Sequence, residues 1–336
     1  MREVADLAGV AISSVSRVLS KHPDVSDTMR ERVNKAVEQL GYEPDFVAQS
    51  LRRQSTRSVG FVMADISNPL LAEIAQGAES VLRQRGYTMM ITDSEGEPEQ
   101  DAQHIRLFSQ RRVDAMLLSL ASETDEQTLS LLRGLKVPIV VIDRQLPPEV
   151  EASAVVSDHR HGMTDAVNHL LDLGHRRIGL INGDALRPTR ERLAALQDAY
   201  AARDLEPTYR VISGDITPER GQAAMRELLD GPEPPTAVIT GANRFLLGAL
   251  REIRDRDLRV GEDISLASCD AIDITEIYDP PIAVVARDNR EMGRQAGTLV
   301  LSMLDDPGEP QVVVLPTTFK PRPSCGPVPL VPGAAS

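Results

Sequence analysis

From residue 58 onward, short apolar runs alternate with longer stretches in which apolar positions recur every three or four residues. The runs cover 59–63, 87–92, 115–120, 138–142, 154–156, 178–182, 208–213, 237–240, 264–269 and 282–285. Amphipathic segments near 69–85, 98–111, 123–135, 160–173, 188–203, 217–230, 243–256 and 289–304 separate them. Strand–helix alternation of this kind predicts parallel sheets with crossover helices. The number of units exceeds one ordinary sheet, so the pattern predicts two Rossmann-like lobes.

The first 57 residues have a different rhythm. Residues 3–41 read as three short helices. Val4, Leu7 and Ala8 share a helical face, and Ala5 is small where a second helix must cross closely. Gly9 sits where a tight turn needs positive φ. In the next segment Val15, Val18 and Leu19 point inward, while Ile12, Ser13, Ser16 and Arg17 point out. A short helix exposing serines and an arginine suits a DNA major groove, where Arg pairs bidentately with guanine. A third helix is predicted with Ser26 as N-cap, Val33, Val37 and Leu40 as its buried stripe, and Gly41 as C-cap. Residues 45–53 form a basic segment with helical spacing. The Pro- and Gly-rich tail after Arg322 is predicted to be largely disordered.

The net charge of −13 argues against a DNA partner until it is divided along the chain. Residues 1–57 hold nine Lys/Arg against eight Asp/Glu, and the remainder holds 28 against 42. Any nucleic-acid surface therefore lies in the first segment. No apolar run approaches the ~20 residues of a membrane span. No signal peptide is evident at the N-terminus. The only two cysteines, Cys269 and Cys325, are far apart, which fits a reducing cytoplasm. Trp is absent, so no sugar site is built on stacked tryptophans.

The run from Glu3 to Leu19, EVADLAGVAISSVSRVL, resembles the headpiece of the LacI/GalR (lactose/galactose repressor) family of transcriptional regulators. The run from Val25 to Val33, VSDTMRERV, and Leu40-Gly-Tyr-Glu-Pro44 follow in register, and the likeness continues to about Ser324. The resemblance implies a small all-α helix-turn-helix headpiece joined to a periplasmic-binding-protein-like α/β core of two Rossmann-like lobes. It implies a DNA-binding domain over 1–43, a hinge over 44–57, an effector-binding and dimerisation core over 58–325, and a disordered tail over 326–336. Within the core, one lobe takes about 58–155 and 287–316 and the other about 156–285 and 317–325.

By the same resemblance, Ile12 and Ser13 choose operator bases, Arg17 contacts a base, and Ser14 and Ser16 contact the phosphate backbone. Ala11 stands where the family usually caps this helix with Ser. The family's first helix begins upstream of the position matched by Met1, so a start upstream of Met1 is expected. Val47 and Leu51 share a face of the hinge helix, and Leu51 matches the leucine that wedges into the minor groove. Arg52, Arg53 and Arg57 are expected to neutralise phosphates. Asn68, Leu70, Ser119, Asp143, Arg192, Asn243, Arg244, Asp270 and Arg287 match positions lining the inter-lobe effector pocket. Leu70 and Leu71 replace a frequent aromatic pair, so ring stacking is not expected from that side.

Arg244 and Arg287 stand where neutral or acidic residues are usual. They point to an anionic effector, a sugar acid or sugar phosphate; internal pairing with Asp270 and Asp288 is the alternative. The expected partners are pseudo-palindromic double-stranded operator DNA, a sugar-like effector and a second copy of the chain, with no cofactor, no metal and no membrane. The expected role is repression of carbohydrate uptake or catabolism genes, by a cytoplasmic, nucleoid-associated dimer without enzymatic activity. A periplasmic sugar-binding protein would share the lobes but lack the headpiece. An oxidoreductase would need a G-x-G-x-x-G turn, which the stretch from Ala64 to Pro69 does not supply. His159 and His161 lie in a charged stretch that reads as solvated, and Cys269 reads as a core residue rather than a nucleophile.

Overall fold

The computed structural model describes residues 1–19, 22–42 and 55–329. Contacts divide the chain into two compact units at the Thr56–Arg57 bond.

The first unit contains α1 (Arg2–Ala8), α2 (Ile12–Leu19) and α3 (Asp27–Leu40). Gly9 ends α1 in the left-handed conformation (φ 60°), which lets its N–H and that of Val10 reach back to the last carbonyls of the helix. Ser26 caps α3, its Oγ accepting from the Met29 amide at 3.4 Å, and Gly41 closes α3 at φ 55°. Val4, Ala5, Ala8, Val15, Val18, Val25, Val33 and Ala36 make the core. Two expected core residues are not in it: Leu7 and Leu40 are 51% and 43% exposed. The α1 stripe is centred between Val4, Ala5 and Ala8, which turns Leu7 onto the rim. On α3 the small Ala36 takes the inward position, and Leu40 lies on the last, open turn. Arg32 Nη2 donates to the carbonyls of Ala8 (2.5 Å) and Gly9 (3.1 Å), so α3 satisfies the orphan carbonyls at the end of α1.

The second unit has the two sheets the alternation predicts. β1 (Ser58–Met63), β2 (Thr88–Asp93), β3 (Ala115–Leu118), β4 (Ile139–Ile142), β5 (Ser153–Ser157) and β11 (Val312–Leu315) form one, in the order β11-β5-β4-β3-β1-β2. The helices α4 (Pro69–Gln84), α5 (Pro98–Gln110) and α6 (Glu126–Arg133) join its strands. β6 (Ile178–Asn182), β7 (Arg210–Ser213), β8 (Ala237–Thr240), β9 (Ser265–Ser268), β10 (Ala283–Ala286) and β12 (Thr318–Lys320) form the other, in the order β12-β10-β9-β8-β6-β7. Its helices are α7 (His159–Asp172), α8 (Arg187–Ala201), α9 (Pro218–Leu229), α10 (Asn243–Asp255) and the short α11 (Asp273–Ile277). Among the described strands only β12 runs antiparallel, against β10. The last long helix, α12 (Asn289–Asp305), returns to pack on α4 beside the first sheet.

β11, β12 and α11 were absent from the sequence expectation. β11 and β12 are edge strands, and β11 buries its residues only alternately and partly. The chain therefore passes between lobes three times, at Asp158, at Arg287-Asp288 and at Pro316-Thr317. The crossings are tied together. Thr317 Oγ1 donates to the Asp158 carbonyl (2.6 Å) and accepts from Gly162 N (3.1 Å), and Asp158 N donates to Leu315 O (2.8 Å). A Cβ at Gly162 would fall 2.5 Å from that hydroxyl, so the approach requires glycine.

The expected disorder after Arg322, and the tail boundary at 326, are corrected. Ser324 is fully buried; its Oγ accepts from Ala283 N and donates to Leu266 O, both at 2.7 Å. Gly326 N donates to Ser265 Oγ (3.0 Å), and its carbonyl lies 3.0 Å from His175 Nε2. Residues 330–336 lie outside the described residues. Among the described residues, no helix is long and apolar enough to cross a membrane.

Candidate functional site

In parallel α/β sheets the loops beyond the carboxyl ends of the strands face the ligand. Here the loops after β1, β3, β4, β6, β8 and β9 converge from the two lobes on one cavity of about 1120 Å³. Asn68, Leu70, Ser119, Asp143, Arg192, Arg244, Asp270 and Arg287 line it, as does Leu71. Asn243 is not among the wall residues. Its side chain donates to Asn68 Oδ1 across the cleft (2.9 Å), and its backbone N donates to Asp270 Oδ2 (2.9 Å). No Phe, Tyr, Trp or His is among the lining residues.

The floor is a buried charge network. Asp143, just after β4, holds φ 49°, which aims its carboxylate at the crossings. Its Oδ1 accepts from Ser157 N (2.7 Å), and its Oδ2 meets Arg287 Nη1 and lies 3.3 Å from His159 Nε2. Burial alone would raise this carboxyl; the His159 ring and the Arg287 guanidinium outweigh burial and hold it well below the usual range. Arg287 Nη2 also lies 3.6 Å from Asp270 Oδ1, so one guanidinium bridges carboxylates from both lobes. Burial lowers the His159 pKa to about 4, so its ring is neutral at physiological pH. Its Nδ1 faces Arg192 Nη2 (3.4 Å), and Arg192 Nη1 donates to Gly241 O (2.6 Å). His159 is thus 2% exposed, not solvated as expected, because α7 starts at the crossing itself; His161, two residues on, is exposed.

Several buried atoms on these walls have no hydrogen-bond partner within the protein: Arg192 Nε, Arg287 Nε and Asp270 Oδ1. Buried polar groups are almost always paired, so these atoms are exceptions on residues that line the cavity.

The arginines do not present free charge. Arg244 pairs with Asp65 Oδ2 (2.7 Å) and Ser67 Oγ, and Arg287 with Asp143 and Asp270. Internal pairing holds, with Asp65 and Asp143 in the place expected for Asp288. Ten acidic side chains and five arginines line the cavity, so an anion would meet a repulsive wall. The expectation of an anionic effector therefore loses its basis.

In the first unit, Ile12, Ser13 and Arg17 are exposed on α2, and Ser14 and Ser16 are half-buried. Val15 and Val18, on the opposite face, anchor the helix in the core. The polar face is thereby held rigidly outward.

Two family models match the chain. Residues 1–45 match the bacterial regulatory proteins, lacI family, and residues 167–325 match the periplasmic binding protein-like domain. The chain is 34% identical over 307 residues to the HTH-type transcriptional repressor CytR of Escherichia coli (strain K12), covering 90% of this chain and 89% of that protein. The chain belongs to the lacI family. A second relative is the HTH-type transcriptional repressor PurR of Aliivibrio fischeri (strain MJ11), 31% identical over 91% of this chain and 92% of its own length. Among solved structures, the lac repressor dimer bound to operator and the anti-inducer ONPF matches with TM-score 0.85 at 25% identity, covering 96% of this chain and 97% of that one. The transcriptional regulator CelR–cellobiose complex matches with TM-score 0.73 at 31% identity, covering 96% and 98%.

For this lacI-family chain, the hinge positions Val47, Leu51, Arg52 and Arg53 lie outside the described residues. Arg57, expected on phosphates, is engaged in the core instead: its N donates to Asp114 Oδ2 and its Nη1 to Arg85 O, both at 3.0 Å, and it lies over the Tyr87 ring. Sequence reasoning missed Glu123, Asp65, Arg190 and His159. Glu123 opens the amphipathic segment read over 123–135 but in the structure precedes the helix, which starts at Glu126; its position just beyond β3 was the available signal. Among the described residues, no group of three or more His, Cys, Asp or Glu side chains is arranged to hold a metal ion.

Proposed function

We propose that this chain is a homodimeric, cytoplasmic repressor that binds pseudo-palindromic operator DNA and has no enzymatic activity. Its targets are genes of carbohydrate uptake or catabolism. A small, uncharged, hydroxyl-rich effector in the cleft controls it. The observation carrying this reading is the polar cavity between the lobes, whose walls hold Ser119, Asp143, Arg192, Asp270 and Arg287 and no aromatic side chain. Guanidiniums that donate and carboxylates that accept match hydroxyls, each of which donates and accepts. The missing aromatic wall disfavours a stacked base, and the acidic lining disfavours a phosphate.

On the headpiece, Ile12, Ser13 and Arg17 read base edges while Ser14 and Ser16 fix the helix on phosphates. The hinge residues Val47, Leu51 and Arg52 complete the DNA contact. Effector binding changes the mutual orientation of the lobes, and operator affinity follows to the extent that the effector prefers one state. The lac repressor dimer on its operator and the CelR–cellobiose complex support this reading by likeness. The test selects an operator from random duplexes and follows its binding by fluorescence anisotropy during titration with neutral sugars and their phosphates. A neutral sugar should shift operator affinity while its phosphate is inert. A response confined to phosphates, or no selected consensus, overturns the reading.

A further inference from the structure

Glu123 is a carboxylate that the family resemblance does not use. It lies in the loop between β3 and α6, on the first lobe, yet it is 3% exposed and its partners come from both lobes. Its Oε1 accepts from Gln145 N of its own lobe (3.0 Å) and from Arg187 N, the first residue of α8 on the other lobe (2.9 Å). Its Oε2 accepts from Arg190 Nη1, one turn into the same helix (2.7 Å). The N-cap residue of α8, Leu186, has no side chain able to cap. A carboxylate at a helix N-terminus is favoured by the free N–H groups and by the helix dipole. A carboxylate from one lobe therefore caps a helix of the other.

We propose that Glu123 is a positioning residue and a latch of the cleft: by capping α8 across the cleft it holds the two lobes in their closed arrangement. α8 also carries Arg192, so closure through Glu123 sets where that guanidinium stands. A second set of cross-lobe bonds, Arg244 to Asp65 and Asn243 to Asn68, joins different loops and closes with it. The latch governs the cleft assigned above to the effector, but its test uses neither effector nor DNA, so it stands or falls apart from that assignment.

The test is hydrogen exchange of the full chain, read at the Arg187 amide by mass spectrometry with residue-level fragmentation. In the parent protein this amide is protected, because exchange requires the latch to open. Arg190→Ala removes the ion pair of a half-exposed arginine together with its bonds to Ala185 O (2.9 Å) and, across the cleft, Gln145 Oε1 (3.4 Å); Arg187 should exchange about tenfold faster. Glu123→Ala should accelerate it further, and Glu123→Gln, which keeps a neutral acceptor, should recover part of the protection. Arg244→Ala, on other loops, should also accelerate Arg187, because all these bonds break in one opening. An unprotected Arg187 amide in the parent protein overturns the proposal. So does a rate indifferent to Arg190→Ala. A response to the Glu123 and Arg190 variants but not to Arg244→Ala would mean a local helix cap, and would equally overturn the latch.

Discussion

The hydroxyl of Thr317 donates to the carbonyl of Asp158 at 2.6 Å, joining the last and the first of the three chain crossings between the lobes. The same oxygen accepts from Gly162 N. Thr317→Val keeps the shape and removes both bonds, leaving a buried carbonyl and a buried amide unpaired. The core should lose about 2–3 kcal/mol. Urea unfolding followed by circular dichroism checks this: a lower midpoint with an unchanged m-value is expected.

His159 predicts an acid sensitivity. Its pKa is about 4 in the folded chain and near its ordinary 6.5 when unfolded. Between those values the unfolded state binds more protons, so stability falls as pH drops from about 6.5 towards 4. The shift corresponds to at most about 3 kcal/mol. Other groups titrate in the same window, so the informative quantity is a difference. His159→Gln should flatten the stability–pH curve between pH 7 and 4.5 relative to the parent, and parallel curves would refute the assignment.

Arg17 is exposed on α2, opposite the packed face of Val15 and Val18. Arg17→Ala should lose about 1–3 kcal/mol of discrimination at one base pair per half-site. Binding to random duplex should weaken far less. Selection from a randomised pool reads the change directly; an unaltered consensus would place the recognition register elsewhere.

Ser324 anchors the C-terminal segment between β9 and β10 through its two 2.7 Å bonds. Ser324→Ala should destabilise the core by about 2 kcal/mol and lower its melting temperature by a few degrees, as scanning calorimetry would read. A freely disordered tail would give no change.

What was legible in the chain was whatever local chemistry decides. Gly9, Ser26 and Gly41 act through their own backbone and side chain, and each caps where expected. Parallel strands buried on both faces declare themselves as apolar runs. Most of the matched pocket positions lie at strand ends, and the cavity gathers them. The illegible parts depend on neighbours distant in sequence. His159 is buried because Asp143 and Arg192 surround it, and Glu123 because α8 of the other lobe lies against it. Leu7 and Ala5 compete for one interior, and the crossing helix decides between them.

The order of strands carries a consequence for biosynthesis. β11 and β12 supply an edge to each sheet, yet they are encoded within residues 312–320 of a chain of 336. During translation neither sheet can be completed until residues 312–320 have been made. Until then β5 and β10 each present an unpaired flank of the kind that recruits foreign strands. A chain interrupted before residue 312 therefore exposes two adhesive margins at once, one on each lobe.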